Sequence, residues 1–200
     1  MDIKDTIMKW KDILLHPSDM LSKELNRGGL RDGALHMLLG GAIGGFFIGI
    51  LLALYPAAVS DYSYFSSGNT FFSLLSSIIG YAIIVLVGWF IGSGLYYIFA
   101  KILGGKGSFA QQSYLLALWY APIVAISWIP LIGMVFAIYS LYLVTVSQRI
   151  VHKFSTLRAV LSWLLPLLIM IVLVFVALVF FFAGAASGLY GVEGLNGNLI

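Results

Sequence analysis

Five long stretches of this 200-residue chain contain no Asp, Glu, Lys or Arg. A charged side chain at the centre of a bilayer costs about 2.5–3.5 kcal/mol on insertion scales, and roughly 20 apolar residues cross the hydrocarbon. Because charged residues are only 10% of the chain, a soluble core would not hide the remaining apolar surface. The sequence therefore predicts an all-α polytopic integral membrane protein with five transmembrane helices. The expected spans are residues 34–54, 71–100, 111–128, 131–147 and 159–183.

The eleven Lys and Arg residues lie on one side of this arrangement. Six precede the first span, two lie between the second and third, and three between the fourth and fifth, whereas the other connections have none. By the positive-inside rule, this predicts a cytoplasmic N-terminus and an outside C-terminus. The expected location is the cell membrane of a prokaryote. Spans three and four are near the minimum length, so a re-entrant hairpin is the alternative, with the chain ends oriented in the same way.

Three regions are expected: residues 1–33 as a cytoplasmic amphipathic segment, 34–188 as the membrane domain and 189–200 as a flexible extracytoplasmic tail. In the first region, Ile3, Ile7, Trp10 and Leu14 fall on one helical face. This stripe has two interpretations. It lies in the lipid headgroup layer, as amphipathic helices with Trp and Lys do, or it packs on the protein's own membrane domain.

Small residues recur at four-residue intervals in the first two spans. Without side chains at these positions, two helices can approach to backbone contact. We expect the first span to pack on the second in this way, and the alternative is a contact with a second copy of the chain. The expected helix-packing residues are Gly41, Gly45, Gly49, Gly80, Gly88 and Gly92. Proline removes a backbone hydrogen bond, so helix kinks are expected at Pro122, Pro130 and Pro166.

Turn residues follow one another in a distinctive order between residues 101 and 166. They are Gly104-Gly105-Lys106-Gly107-Ser108, Tyr120 with Pro122, Ile129-Pro130, His152 and Leu165-Pro166. This order resembles the Yip domain of Ypt/Rab GTPase-interacting membrane proteins, in its short prokaryotic form. The resemblance implies a five-helix fold with a cytoplasmic N-terminus and, from eukaryotic members, a role in vesicle traffic. Those members carry an Asp-Leu-x-Gly-Pro type motif that this chain lacks, so GTPase binding is not carried over.

Residues for catalysis are missing from the expected spans. The chain has no Cys and no HExxH motif, and its three histidines lie at or outside the membrane boundary. The turn at residues 104–107 lacks the Gly and the Ser or Thr that complete a phosphate-binding loop. We therefore expect no enzyme activity, no cofactor or metal and no nucleic-acid binding. Coupled carriers use charges inside their spans, so the alternative function is an uncoupled pathway for a small solute or lipid along the hydroxyls of the fourth span.

The cytoplasmic side carries the features that suit recognition. The sequence predicts a non-enzymatic membrane organiser or adaptor that binds anionic lipid headgroups or a protein partner there. A second copy of the chain is a further candidate partner, and the alternative is that the charges only set topology. The residues expected to face partners or lipids are Lys101, Lys106, Arg149, His152, Lys153 and Arg158.

Overall fold

A computed structural model describes residues 2–55 and 69–196, with the side chains of Pro130 and residues 184–196 left out. The described chain is entirely helical. The helices are α1 (Ile3–Leu15), α2 (Pro17–Glu24), α3 (Leu30–Leu54), α4 (Thr70–Ile102), α5 (Phe109–Ile126), α6 (Pro130–His152) and α7 (Thr156–Asn196). Of the outside loop expected at residues 55–70, residues 56–68 lie outside the described residues.

Helices α3 to α7 are each long and apolar enough to cross a membrane. The predicted all-α membrane protein with five spans is therefore confirmed. Most helix ends lie within four residues of the predicted span ends, and two ends differ by more. The fourth span runs on to His152, because Arg149 in its last turn favours the negative end of the helix dipole. The helix that contains the fifth span, Thr156–Ala183, continues to Asn196, into the expected tail, since no proline after Pro166 stops it.

The ends of the central helices are set by local sequence. At the start of α5, the Ser108 hydroxyl accepts from the Gln111 backbone N–H at 3.2 Å, and the Gln111 side chain accepts from the Ser108 N–H at 3.0 Å. This reciprocal pair is a capping box. Pro130 is the first residue of α6, where its missing N–H costs nothing, so it begins a helix and does not kink one. Pro122 and Pro166 lie inside α5 and α7.

Helix α5 is the centre of the bundle, because α1, α3, α4 and α6 all pack against it. In its most apolar stretch, 72% of the residues are buried, against 17% for the longer α4. The polar side chains of α5 therefore face protein and not lipid. Lipid chains would offer them no hydrogen-bond partners. Among the described residues, those up to Trp163 form one compact unit around α5, and those from Leu164 onward form a second one.

Two rows of glycines on α3 face two different neighbours. A Cβ added at Gly41 would lie 2.7 Å from the Ala82 Cα, and one at Gly45 would lie 2.9 Å from the Ile78 Cα, both on α4. At Gly44 the added atom would lie 2.8 Å from the Val124 carbonyl oxygen of α5. Helix α3 is thus held at backbone contact with both helices, and this contact is possible only without side chains.

The glycines of α4 do not take part in this contact. A Cβ added at Gly88 or Gly92 meets nothing within 4 Å, so the sequence prediction for these two residues is wrong. The physical reason is the rotation of α4. It turns Ser77, Ala82 and Trp89 into the bundle, and these residues are buried. Gly80 is half-buried.

Substituting Gly45 by Leu should lower the stability of the protein, because the side chain meets the backbone of α4. Forcing extra atoms into a well-packed interior typically costs about 1–3 kcal/mol. The measurement is thermal melting in detergent. The matched control is Gly94→Leu on α4, where an added Cβ meets nothing within 4 Å. Equal melting temperatures for the two variants would contradict the packing of α3 on α4.

Candidate functional site at the basic end of the bundle

A buried carboxylate fixes the N-terminal helices to the membrane domain. Glu24, the last residue of α2, has a side chain that is 2% exposed. It accepts a hydrogen bond from the Tyr114 hydroxyl of α5 at 2.7 Å. Lys9 Nζ of α1 lies 3.1 Å from its Oε2, and Arg27 Nη1 lies 3.5 Å from its Oε1. One side chain therefore connects α1, α2 and α5.

The surroundings of Glu24 keep it ionised. Burial raises its pKa, because a carboxylate loses hydration there. The hydrogen bonds from Tyr114 and Lys9 and the charges of Lys9 and Arg27 lower it and prevail, so the pKa lies below its ordinary value of 4.5. A buried charge without such partners is strongly destabilising. The docking of the N-terminal helices therefore depends on all three partners being in place.

Two further hydrogen bonds support the same docking. The Trp10 indole N–H donates to Nδ1 of His36 on α3 at 3.1 Å. The Tyr139 hydroxyl of α6 donates to the Leu14 carbonyl oxygen at 2.8 Å. The N-terminal segment thus contacts α3, α5 and α6 through polar groups, and its position in the fold is fixed from three directions.

The amphipathic stripe predicted from the sequence is divided by this docking. Trp10 is buried, together with Ile13, which the sequence analysis did not single out. Ile3 and Ile7 remain 59% and 50% exposed. The later half of the stripe therefore packs on the protein itself, and its first half stays available to the headgroup layer.

His152 belongs to the interior and not to the exposed surface, so the prediction that it faces lipids or partners is wrong. It is 1% exposed. Its Nδ1 accepts the Gly107 N–H at 3.2 Å, and its Nε2 lies 2.6 Å from Oε1 of Gln112. The Gln112 amide in turn donates to the Ser93 carbonyl oxygen at 2.8 Å. This chain of hydrogen bonds joins the loop before α5 to α4, α5 and α6.

The glycine-rich turn is required by close approach to the end of α6. A Cβ added at Gly105 would lie 2.9 Å from the ring Cγ of His152, and one at Gly107 would lie 2.6 Å from the Val151 carbonyl oxygen. Gly104 has a φ of 84°, in the region that only glycine adopts easily. The turn that carries the family resemblance therefore serves packing around His152.

The basic side chains at this end of the bundle differ in whether they contact other groups of the protein. Lys101 donates to the Gly105 carbonyl oxygen at 3.2 Å and lies 5.3 Å from the centre of the Tyr97 ring. The side chains of four residues are exposed and form no ion pair with a described residue. They are Lys106, Arg149, Lys153 and Arg158.

A basic cleft lies between α2 and the end of α6. It has a volume of about 350 Å³ and is lined by Ser18 and Ser22 from α2, by Arg149 and Lys153, and by apolar side chains that include Phe154. Two positive charges, with no acidic residue in the lining, suit a phosphate or another oxyanion. The Ser22 hydroxyl donates to the Ser18 carbonyl oxygen of its own helix at 2.6 Å. The sequence analysis missed the two serines, because only the docking of α2 brings them to α6.

Lys153 occupies an unusual backbone position in this cleft. It caps the C-terminus of α6 with a φ of 56°, in the left-handed region where glycine or asparagine is usual. Placing a lysine there costs of order 1 kcal/mol relative to glycine. The strained conformation holds the start of this side chain at the mouth of the basic cleft.

A second and larger cleft has mixed charge. It measures about 510 Å³ and lies between α1 and the start of α3. Asp2, Asp5 and Asp32 line it together with Lys9 and other basic residues. Opposite charges offset one another there, so the basic cleft is the stronger candidate for an anion. Within residues 2–55 and 69–196, His, Cys, Asp and Glu form no group of three that could hold a metal ion.

The fold and this site define a polytopic helical membrane protein whose N-terminal helices are docked onto one end of its bundle. The Yip1 domain family matches residues 11–192, and the chain belongs to this family. The resemblance given by the turn residues is therefore confirmed. No curated protein and no solved structure matches the chain.

Replacing Glu24 by Ala should destabilise the protein by about 1–3 kcal/mol, because the Tyr114 hydroxyl and Lys9 lose a buried acceptor. The measurement is the free energy of unfolding by denaturant in detergent. The control is Glu24→Gln, which keeps an acceptor for Tyr114 and removes the charge. A smaller loss is expected for this control. Wild-type stability in the Ala variant would contradict the role of Glu24.

The same residue predicts a pH dependence. Because folding lowers the pKa of Glu24, its contribution is complete above about pH 4.5 and is lost as the pH falls through the lower folded pKa. The stability of the wild type should therefore fall more steeply below pH 4.5 than that of Glu24→Gln. Parallel curves for the two proteins would show that Glu24 does not contribute in this way.

Proposed function

We propose that this Yip1-family protein is a non-enzymatic membrane organiser whose cytoplasmic face binds anionic lipid headgroups. The observation that carries the proposal is the basic cleft, in which Arg149 and Lys153 face Ser18 and Ser22 without an acidic residue. Near an anionic leaflet, each such basic residue contributes about 1 kcal/mol. A role in membrane traffic is the further expectation from the family resemblance.

The proposed orientation is N-terminus in and C-terminus out, in the cell membrane. It rests on the eleven basic residues, all of which fall before the first span or in the two inner connections. In the structure, α2 and the C-terminal end of α6 meet at the basic cleft, at one end of the bundle. One leaflet can therefore engage both.

Three hydroxyls of α6, those of Tyr139, Ser140 and Thr145, have partners within the protein, which favours the organiser over an uncoupled pathway. Tyr139 donates to Leu14, and Ser140 donates to the carbonyl oxygen of Ala137 at 2.6 Å. Thr145 donates to its own helix at 2.7 Å and accepts the Trp163 indole N–H at 2.9 Å. These bonds use the polar groups that a solute path along this helix would need.

The test is a double variant, Arg149→Gln with Lys153→Asn. Asparagine tolerates the left-handed position, so the charge is removed without forcing the end of α6 to change. At about 1 kcal/mol per charge, the loss corresponds to roughly 30-fold weaker binding of anionic lipid. Binding is measured with nanodiscs in which phosphatidylserine or phosphatidylglycerol is titrated against phosphatidylcholine.

The control is Lys4→Gln with Lys23→Gln, which removes two exposed charges outside the cleft. If both double variants bind anionic lipid equally, the cleft is not the binding site and its charges only set topology. Orientation is checked in the same proteins with a single cysteine in place of Lys106, since the chain has no native cysteine. Labelling from the outside would contradict the proposed orientation.

A further inference from the structure

A cavity of about 210 Å³ opens between α4, α5 and α6, away from the basic cleft. Gly88 and Gly92 of α4 form one wall, and each has open space where a side chain would stand. Helix α3 does not use these two glycines for packing. Their missing side chains therefore create the cavity.

Two tryptophans make the other walls rigid. The Trp89 indole N–H donates to the Ser113 carbonyl oxygen at 3.0 Å, and the Trp119 indole N–H donates to the Ser147 hydroxyl at 2.9 Å. Both rings are nearly buried and are held by these bonds. The cavity keeps its shape without an occupant, as binding pockets usually do.

An unpaired hydroxyl, that of Ser93, lies in the same lining. Ser93 is 1% exposed, and its Oγ has no hydrogen-bond partner among the described residues. Tyr96 and Tyr120 also line the cavity. A buried polar group without a partner costs about 1–3 kcal/mol. The lining therefore offers a hydrogen-bond donor to an occupant.

The mouth of the cavity faces the lipid. Gly88 and Tyr120 are exposed at its rim, and the neighbouring Val87 and Ile91 of α4 are 50% and 58% exposed. Because α4 is a membrane span, these apolar side chains contact lipid chains. The first molecules to reach the cavity are lipids. None of its lining residues is charged, so it does not select a charged headgroup.

The size and depth of the cavity narrow the class of ligand further. An apolar cavity of about 150 Å³ holds a benzene molecule, so this one has room for part of a lipid and not for a whole one. Ser93 lies nine residues before the end of α4 at Ile102, which is about 14 Å along the helix. This depth lies below the headgroups, where acyl chains begin.

We propose that the cavity binds the ester end of one acyl chain of a glycerolipid. The tryptophans and the glycine wall enclose the first carbons of the chain, and the hydroxyls of Ser93, Tyr96 and Tyr120 are the donors for its ester carbonyl. This site is separate from the basic cleft, because the two share no lining residue.

The test is Gly92→Leu, which fills the cavity. An added Cβ meets nothing within 4 Å there, so the fold should be retained. Gly94→Leu is the matched control, since its Cβ also has open space but Gly94 does not line the cavity. The probe is a phosphatidylcholine with a photoreactive diazirine near the ester end of one chain. Gly92→Leu should lose at least 10-fold of the labelling that maps to α4–α6, and Gly94→Leu should label like the wild type.

A second arm tests the ester and does not depend on Gly92→Leu folding. Wild-type protein should bind a diester phosphatidylcholine about 10-fold more tightly than its diether analogue, which lacks the carbonyl acceptors. Ser93→Ala should reduce this ratio.

Diacylglycerol should compete with the diester probe, because the proposed site makes no contact with the headgroup. Equal labelling of the two glycine variants, equal binding of ester and ether, or labelling replaced by a crosslink between two protein chains would each overturn the proposal.

Discussion

The arrangement of the N-terminal helices on the bundle depends on the contacts of the Glu24 carboxylate. It is buried, and it is compensated by Lys9 from α1, by Arg27 after α2 and by Tyr114 from the central helix. A carboxylate in this position is stable only with these partners. Its requirement for compensation therefore selects one arrangement of the N-terminal helices against the membrane domain.

The basic cleft follows from that arrangement. Ser18 and Ser22 reach Arg149 and Lys153 only because α2 is docked, and α2 ends at Glu24. The charges of α6 are visible in the sequence, but a binding site needs the second wall that α2 supplies. A residue that lies outside the cleft thus controls its shape, and this links the stability of the N-terminal segment to recognition at the surface.

The sequence predicts the spans well, because lipid excludes charge over a fixed thickness and the charge-free stretches therefore mark them. It predicts the close approach of α3 to α4 less completely. Small residues at four-residue spacing show where contact is possible, yet the rotation of α4 decides that Gly41 and Gly45 are in contact while Gly88 and Gly92 line a cavity. The rotation of α4 about its axis depends on its packing against all neighbouring helices together, and the spacing of small residues does not contain this information.

The sequence does not predict the hydrogen bond between Glu24 and Tyr114, because the two residues are 90 positions apart in the chain. One signal did exist. Glu24 follows Leu21 by three residues, so it lies on the apolar face of α2, where an acidic residue needs buried partners. No such signal existed for His152, because Gln148 and Arg149 precede it by one turn on the same face of α6.

Hydrogen–deuterium exchange of the unmodified protein in nanodiscs tests most directly whether the N-terminal helices belong to the fold. The docking through Glu24 predicts that the backbone amides of α1 and α2 are protected, with opening free energies approaching those of the central helix α5. Exchange of residues 3–24 at the rate of an unstructured peptide, with α5 still protected, would contradict the account.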